Sequence, residues 1–329
     1  MQIDLLRRRE FIGLLGGASA WPIAASAQQP TRPVIGFLQS GSTGATAHTR
    51  AAFHSGLREA GYVEGQNVEI IYRYADSQYD RLPALAADLI SNHVVAIFAG
   101  GPPAAQAAKA ATTTIPIIFT SGDPVQSGLV ASLNKPGSNL TGIAFFVLSL
   151  GAKQFGLLRE LVPKAITVGM LVNPNLPDAA ATVADGQVAA RAEGLEPQIF
   201  HASNDEELTA AFAEMKKRRI NALVVVSDIF FDSRREQLVT LAARHTIPAI
   251  YPWRDYVAAG GLMSYGTSIT EGYRQAGNYI ARILKGTQPS DLPVLQPTKF
   301  ELVINLKAAK ELGLAIPLTL QVAADEVIE

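Results

Sequence analysis

From residue 33 onward the chain alternates short apolar runs with amphipathic stretches. Residues 34–38, 94–99 and 115–119 are apolar runs of strand length, and residues 68–74 alternate as a strand does. Between them, residues 46–60 carry Phe53 and Leu57 on a helical period and stop at Gly61, a C′ glycine. Residues 79–91 place Leu82, Leu85, Ala86 and Leu89 on one helical face, and residues 104–111 predict a third helix. The order βαβαβαβ, with right-handed crossovers, predicts a parallel sheet with helices on both faces.

The pattern then recurs. Strands are expected at residues 166–172, 196–201, 222–226 and 247–251, with helices at 178–193, 203–218 and 231–245. Ser203 and Glu206 read as a capping box. Ile115-Pro116-Ile117 and Ile247-Pro248-Ala249 open equivalent strands 132 positions apart, and Gly61 and Gly194 end equivalent helices 133 apart. Residues 139–146, 261–266 and 299–304 read as connections between the copies, 289–297 as a proline-rich linker, and 269–284 as an amphipathic helix returning to the first copy. The expected fold class is α/β: two similar doubly wound parallel-sheet lobes joined by a three-segment hinge. The N-terminal lobe takes residues 31–143 with 267–296, and the C-terminal lobe residues 144–266 with 297–329.

The first 27 residues have a different pattern. Arg7-Arg8-Arg9 precedes a short apolar run, and Ala25-Ser26-Ala27 makes an A-x-A cleavage site before Gln28. This predicts an export signal, residues 1–27. Arg8-Arg9-Glu10-Phe11-Ile12 resembles the twin-arginine motif, with Arg7 where that motif has Ser or Thr. The apolar run is shorter than the roughly 20 residues of a spanning helix, and no cysteine follows it to take a lipid. The expectation is a soluble periplasmic protein without a lipid anchor.

Composition narrows the chemistry. The 329 residues allow two cores, and 48% hydrophobic with 17% charged residues suits a globular chain. A net charge of −1 without a basic cluster beyond the N-terminus gives no reason to expect nucleic acid. The absence of cysteine excludes disulfides, thiolate metal sites and a thiol nucleophile. No Walker A, G-x-G-x-x-G, G-x-S-x-G or H-E-x-x-H sequence is present. His48, His54, His93, His201 and His245 show no i, i+4 pairing. Neither catalysis, a metal nor a cofactor is expected.

In parallel α/β sheets ligands bind beside the carboxyl ends of strands, so six loops are expected to line a cleft. They offer Ser40, Gly41 and Ser42; Gly101 and Pro102; Thr120, Ser121 and Asp123; Asn173 and Asn175; Ser227 and Asp228; and Tyr251 and Trp253, with Tyr265 nearby. Serine hydroxyls and the Gly41, Gly101 and Gly122 amides suit a carboxylate, aided by helix N-termini. Asp228 or Asp123 suits an ammonium, and the aromatic residues suit an apolar body. The competing readings are that Ser121 and Ser227 cap helices, that Asp123 fixes an Asx turn before Pro124, and that Trp253 and Tyr256 pack in the core.

Residues 53–65 (FHSGLREAGYVEG), 79–89 (YDRLPALAADL), 115–130, 260–266 (GGLMSYG) and 292–306 (LPVLQPTKFELVINL) resemble the ABC transporter substrate-binding proteins of the tryptophan/tyrosine-binding type. The resemblance implies a type I periplasmic binding fold, a monomer, and a small-molecule ligand such as an amino acid or aromatic carboxylate. It also implies delivery to an ABC permease with its ATPase. In similar receptors first-lobe hydroxyls grip the carboxylate and a second-lobe acid takes the ammonium, roles that Ser121 and Asp228 match here. An alternative is a sensor whose closed form is read by a membrane signalling receptor.

Overall fold

The computed structural model describes residues 32–145 and 150–329. The expected export signal and the end of the 139–146 connection therefore lie outside the described residues. The first lobe is built from β1 (Val34–Gln39), α1 (Ala47–Glu59), β2 (Glu69–Tyr74), α2 (Leu82–Ser91), β3 (Ala96–Gly100), α3 (Pro102–Ala111), β4 (Ile117–Ser121) and β5 (Leu140–Ala144). Its five strands are all parallel, in the order β2-β1-β3-β4-β5. The inner strands β3 and β4 are buried along their whole length, which is why they read as continuous apolar runs.

The second lobe follows with α4 (Gly151–Leu161), β6 (Thr167–Val172), α5 (Ala179–Ala192), β7 (Glu196–His201), α6 (Asp205–Lys217), β8 (Ala222–Val225), α7 (Ile229–Ser233), α8 (Arg235–Arg244), β9 (Ala249–Tyr251), α9 (Arg254–Ala258) and β10 (Met263–Thr267). The segment β7-β6-β8-β9-β10 repeats the strand order of the first sheet. After α10 (Ile269–Leu284), the chain adds β11 (Phe300–Asn305), α11 (Leu306–Glu311), α12 (Leu318–Ala323) and β12 (Glu326–Ile328). β11 pairs antiparallel with β10, and β12 extends the sheet to seven strands. Two similar α/β lobes are thus present, as the duplicated pattern predicts.

α10 packs along α1 in the first lobe, and its apolar stripe of Tyr273, Ala276, Ile280 and Ile283 is buried. The two helices touch backbone to backbone. A Cβ on Gly56 would lie 1.9 Å from the Arg274 carbonyl oxygen, and one on Gly277 would lie 2.2 Å from that of Phe53. Both positions therefore require glycine for the approach.

Several local expectations are corrected. The stretches 139–146, 261–266 and 299–304 are not free connections: most of each is strand β5, β10 or β11. Leu140, Ile143, Met263, Leu302 and Ile304 are buried, so these segments gain more as paired strands than as bare crossovers. The chain changes lobe just after β5, between β10 and α10, and between Leu295, which bridges to Ile143, and β11. The helix expected over 231–245 is two helices meeting at Arg234 (φ −113°). It starts earlier because the Asp228 carboxylate accepts from the Phe230 amide and caps α7. The capping box is shifted by one residue. Asn204 accepts from the Glu207 amide at 2.9 Å, and the Glu207 carboxylate accepts from the Ser203 amide and hydroxyl.

Candidate functional site

The carboxyl ends of both sheets open on one cavity of ≈ 660 Å³, counting space open to solvent, within the usual range for small-ligand sites. The first lobe contributes Gly101, Pro102, Thr120, Ser121, Gly122 and Phe145, and the second Leu176, Asp178, Thr182, Asp228, Asp232 and Trp253, with Val226, Ser227 and Ile229 beside them. Ile269 and Tyr273 of α10 close the back. Ile229, Asp232, Trp253, Ile269 and Tyr273 also line a smaller chamber of ≈ 330 Å³, which ends at His48, Arg235 and Asp255.

The expected residues divide between cavity and scaffold. Gly101, Pro102, Thr120, Ser121, Ser227, Asp228 and Trp253 line the main cavity. Ser40 does not: its buried hydroxyl accepts from the Ala104 amide and caps α3 from the neighbouring strand end. Ser42 accepts from the Ala45 amide, and the carbonyl of Gly41 accepts from the Asp76 amide. Asp123 accepts from the amides of Val125 and Gln126, both at 2.9 Å, the Asx-type turn that Asp-Pro invites. Asn173 donates to Asp228 and accepts from the Asn175 amide, while Asn175 itself faces solvent. Tyr251 stacks on Tyr256 behind β9, and Tyr265 stacks on Phe300.

The expected carboxylate cradle is largely used up by the protein. The Gly101 amide donates to Thr120 Oγ1 at 2.9 Å, the first two residues of α3 are prolines without N–H groups, and the next amide is held by Ser40. What remains at the first-lobe wall is the Ser121 hydroxyl and the backbone of Gly122.

The second-lobe wall carries carboxyl groups. Asp228 is 4% exposed. Its Oδ1 accepts from Asn173 Nδ2 at 2.8 Å and the Phe230 amide at 2.9 Å, and its Oδ2 accepts from the Tyr79 hydroxyl at 2.8 Å. Burial pushes its pKa up, and those hydrogen bonds pull it back. Asp232, one helical turn on, accepts from the Tyr256 hydroxyl at 2.9 Å. Burial pushes it up to about 8, opposed by the Tyr256 hydrogen bond and reinforced by the carboxyls of Asp228 and Asp255. Asp178 makes no side-chain cap to α5, and burial raises it too. Among the described residues no Lys, Arg or His lines the main cavity.

Trp253 lies edge-on to Phe145, ring centroids 5.4 Å apart, and is 4% exposed. Its indole N–H makes no hydrogen bond of full geometry among the described residues, but it lies close enough to the Asp232 carboxyl to help hold that group's pKa down. In the smaller chamber His48 stands 3.7 Å from Asp255, and burial lowers its pKa, with Asp255 opposing. Sequence reasoning missed Asp178, Asp232, Phe145, Leu176, Thr182, Ile269 and Tyr273. For Asp232 a signal existed, its i+4 spacing from Asp228; for Tyr273 it was the apolar stripe of α10.

A two-lobed α/β receptor with a ligand-sized cleft between its sheets is the class that fold and cavity define. The chain belongs to the family described as ABC transporter substrate binding protein, which it matches over residues 35–328. Members of that family are substrate-binding proteins. The chain is 29% identical over 266 residues to a tyrosine-binding protein of Clostridioides difficile (strain R20291), covering 80% of this chain and 76% of that one. It is 27% identical to an ABC domain from Streptococcus pneumonia solved in complex with L-Trp, with a TM-score of 0.83 over 91% of this chain and 100% of that chain. Against the ligand-free, open structure of a substrate-binding protein with adhesive properties from Clostridium difficile, identity is 28%, but the TM-score is 0.65 over 90% of this chain and 99% of that chain. Here the lobes touch: Tyr79 bonds to Asp228, Ser77 meets Ser233, and Gln126 meets Asp185.

No helix among the described residues is long and apolar enough to cross a membrane. Nor is any group of three or more His, Cys, Asp or Glu among them placed to hold a metal ion.

Proposed function

We propose that this chain is the exported receptor of an ABC importer. It captures a small ammonium-bearing compound with an apolar, aromatic-sized body, an amino acid of that kind, and delivers it to a permease driven by an ATPase. The carrying observation is the division of polarity across the cleft. Hydroxyl donors line the first-lobe wall, carboxyls are the only charged groups among the described residues of the second-lobe wall, and Phe145, Trp253, Leu176 and Ile269 add apolar surface. A zwitterion whose carboxylate meets Ser121 and Gly122 and whose ammonium meets Asp232 joins the two walls. Such a ligand has more affinity for the closed state than for the open one, which is what drives closure. The names of the relatives support aromatic amino acids as the first compounds to try.

The test is a thermal-shift and calorimetric panel of L-Trp, L-Tyr and L-Phe, set against the matching aryl-propionic acids and aryl-ethylamines. Amino acids are expected to raise the melting temperature and to perturb Trp253 fluorescence. Removing the ammonium is expected to weaken binding by more than about tenfold, roughly one charge-assisted hydrogen bond. Equal binding of the ammonium-free acids, or no binding by any member, would end this reading.

A further inference from the structure

We propose that the loop of residues 75–79 is a closure latch, with Tyr79 as a positioning residue that engages Asp228 across the cleft and sets the balance between open and closed lobes. The loop is built for a fixed shape. Asp76 (φ 53°) and Ser77 (φ 63°) are consecutive non-glycine residues in the left-handed region, a costly conformation for L side chains. Such strain persists only where the surroundings over-determine it, and here they do. The amides of Ala75, Asp76 and Ser77 donate in turn to the carbonyls of Gln39 (2.9 Å), Gly41 (3.3 Å) and Ser40 (2.8 Å), while Arg81 holds the Asp76 carboxylate at 3.1 Å. The Gln39–Gly41 strand end therefore anchors a loop.

What the loop delivers lies on the other lobe. Ser77 Oγ is 3.4 Å from Ser233 Oγ, and the Tyr79 hydroxyl donates to Asp228 Oδ2 at 2.8 Å. These two partners bracket α7, the helix that presents Ile229 and Asp232 to the cavity. Asp228 is already fixed from its own side by Asn173 and the Phe230 amide, so Tyr79 meets an oriented acceptor. Burial further favours the arrangement, because a phenol O–H is a neutral donor to a carboxylate sheltered from water. None of residues 75–79 lines the cavity. The latch thus acts on closure and not on ligand contact. A ligand that binds only the closed form gains or loses apparent affinity in proportion to the closed fraction, whatever its own chemistry.

The inference rests on the capture-by-closure reading above, yet its first test needs no ligand. Small-angle scattering of the ligand-free protein is expected to give a larger radius of gyration for Tyr79→Phe than for wild type, with Ser77→Ala between them. The second readout is calorimetric affinity for L-Trp and L-Tyr, expected to fall in Tyr79→Phe by one common factor, roughly three- to tenfold. Thermal melts confirm that both variants fold, and Ser77→Ala carries the test if Tyr79→Phe does not. An unchanged radius would overturn the latch. So would unequal losses for the two amino acids, which would make Tyr79 a ligand contact. If neither amino acid binds, the proposed ligand class falls while the scattering result still decides the latch.

Discussion

The two lobes share a strand order but finish themselves differently. The first is completed by a helix, α10, seated on α1 through glycine-to-backbone contacts; the second is completed by two strands, β11 and β12, added to its sheet edge. Their strand-end loops differ as well. At the end of β3 stands Gly101 (φ 95°), which leaves α3 to be capped from outside by Ser40. At the equivalent end of β8 stands Asp228, which caps α7 itself and receives Asn173 and Tyr79 in addition. A duplicated scaffold thus keeps its sheet while the residue at one equivalent position decides whether that wall offers charge or space.

The difference in how the lobes are completed can be broken most severely at Gly56. Gly56→Ala is expected to push α10 off α1 and cost about 3 kcal/mol, since overpacking against backbone has little room to relax. Chemical denaturation with hydrogen exchange resolved by lobe is expected to show the loss in the first lobe, and uniform loss would refute this division.

Next in size is Asp228→Ala. It removes the α7 cap and leaves Asn173 and Tyr79 without an acceptor, an expected loss of about 2 kcal/mol. A variant as stable as wild type in urea titration would remove Asp228 from its scaffold role.

Asp232 tests the charge on the same wall. Asp232→Asn is expected to weaken an ammonium-bearing ligand by more than about tenfold, or about 1.4 kcal/mol, with little change in stability. The sign of its pH dependence follows from its raised pKa of about 8. Between the unfolded carboxyl range and that value the folded protein holds the extra proton. Its contribution to stability therefore falls as pH rises through that window and is level above it. Ligand binding runs the other way, because an ammonium favours the carboxylate. Affinity is expected to increase from pH 6 to 9 with proton release on binding, visible as a buffer-dependent calorimetric heat, and Asp232→Asn is expected to flatten both.

The smallest expected effect sharpens the second lobe's strand-built edge. Glu326 of β12 pairs with Arg254 through two 2.6 Å hydrogen bonds at the surface. Glu326→Gln is expected to cost about 0.5 kcal/mol, read as a slight shift in denaturation midpoint. A loss several times larger would mean that β12 holds the lobe together through that ion pair.

Much of the scaffold was legible in the chain, and for identifiable reasons. Buried parallel strands write themselves as apolar runs, and the glycines after the first helix of each copy mark the duplication. The Asx turn at Asp123 was legible because it is local, made within three residues of the side chain. The strands β5, β10 and β11 were harder, because a short segment that pairs in a sheet beside a crossover and one that crosses between lobes can have the same composition.

The site was legible only as a set of loops. Sequence by itself determined the lobes, the strand ends that meet at the cleft, and the absence of thiol chemistry, since these depend on periodicity and residue type. Tertiary structure alone decided which side chains face the cavity. Tyr251 points behind β9 and Trp253, two residues on, points into the cleft. Ser40 and the Gly101 amide are consumed by neighbours far along the chain, and Asp228 is claimed by Tyr79, 149 positions away. Whether a polar group is free for a ligand depends on every donor and acceptor that folding brings to it, and no local pattern carries that count.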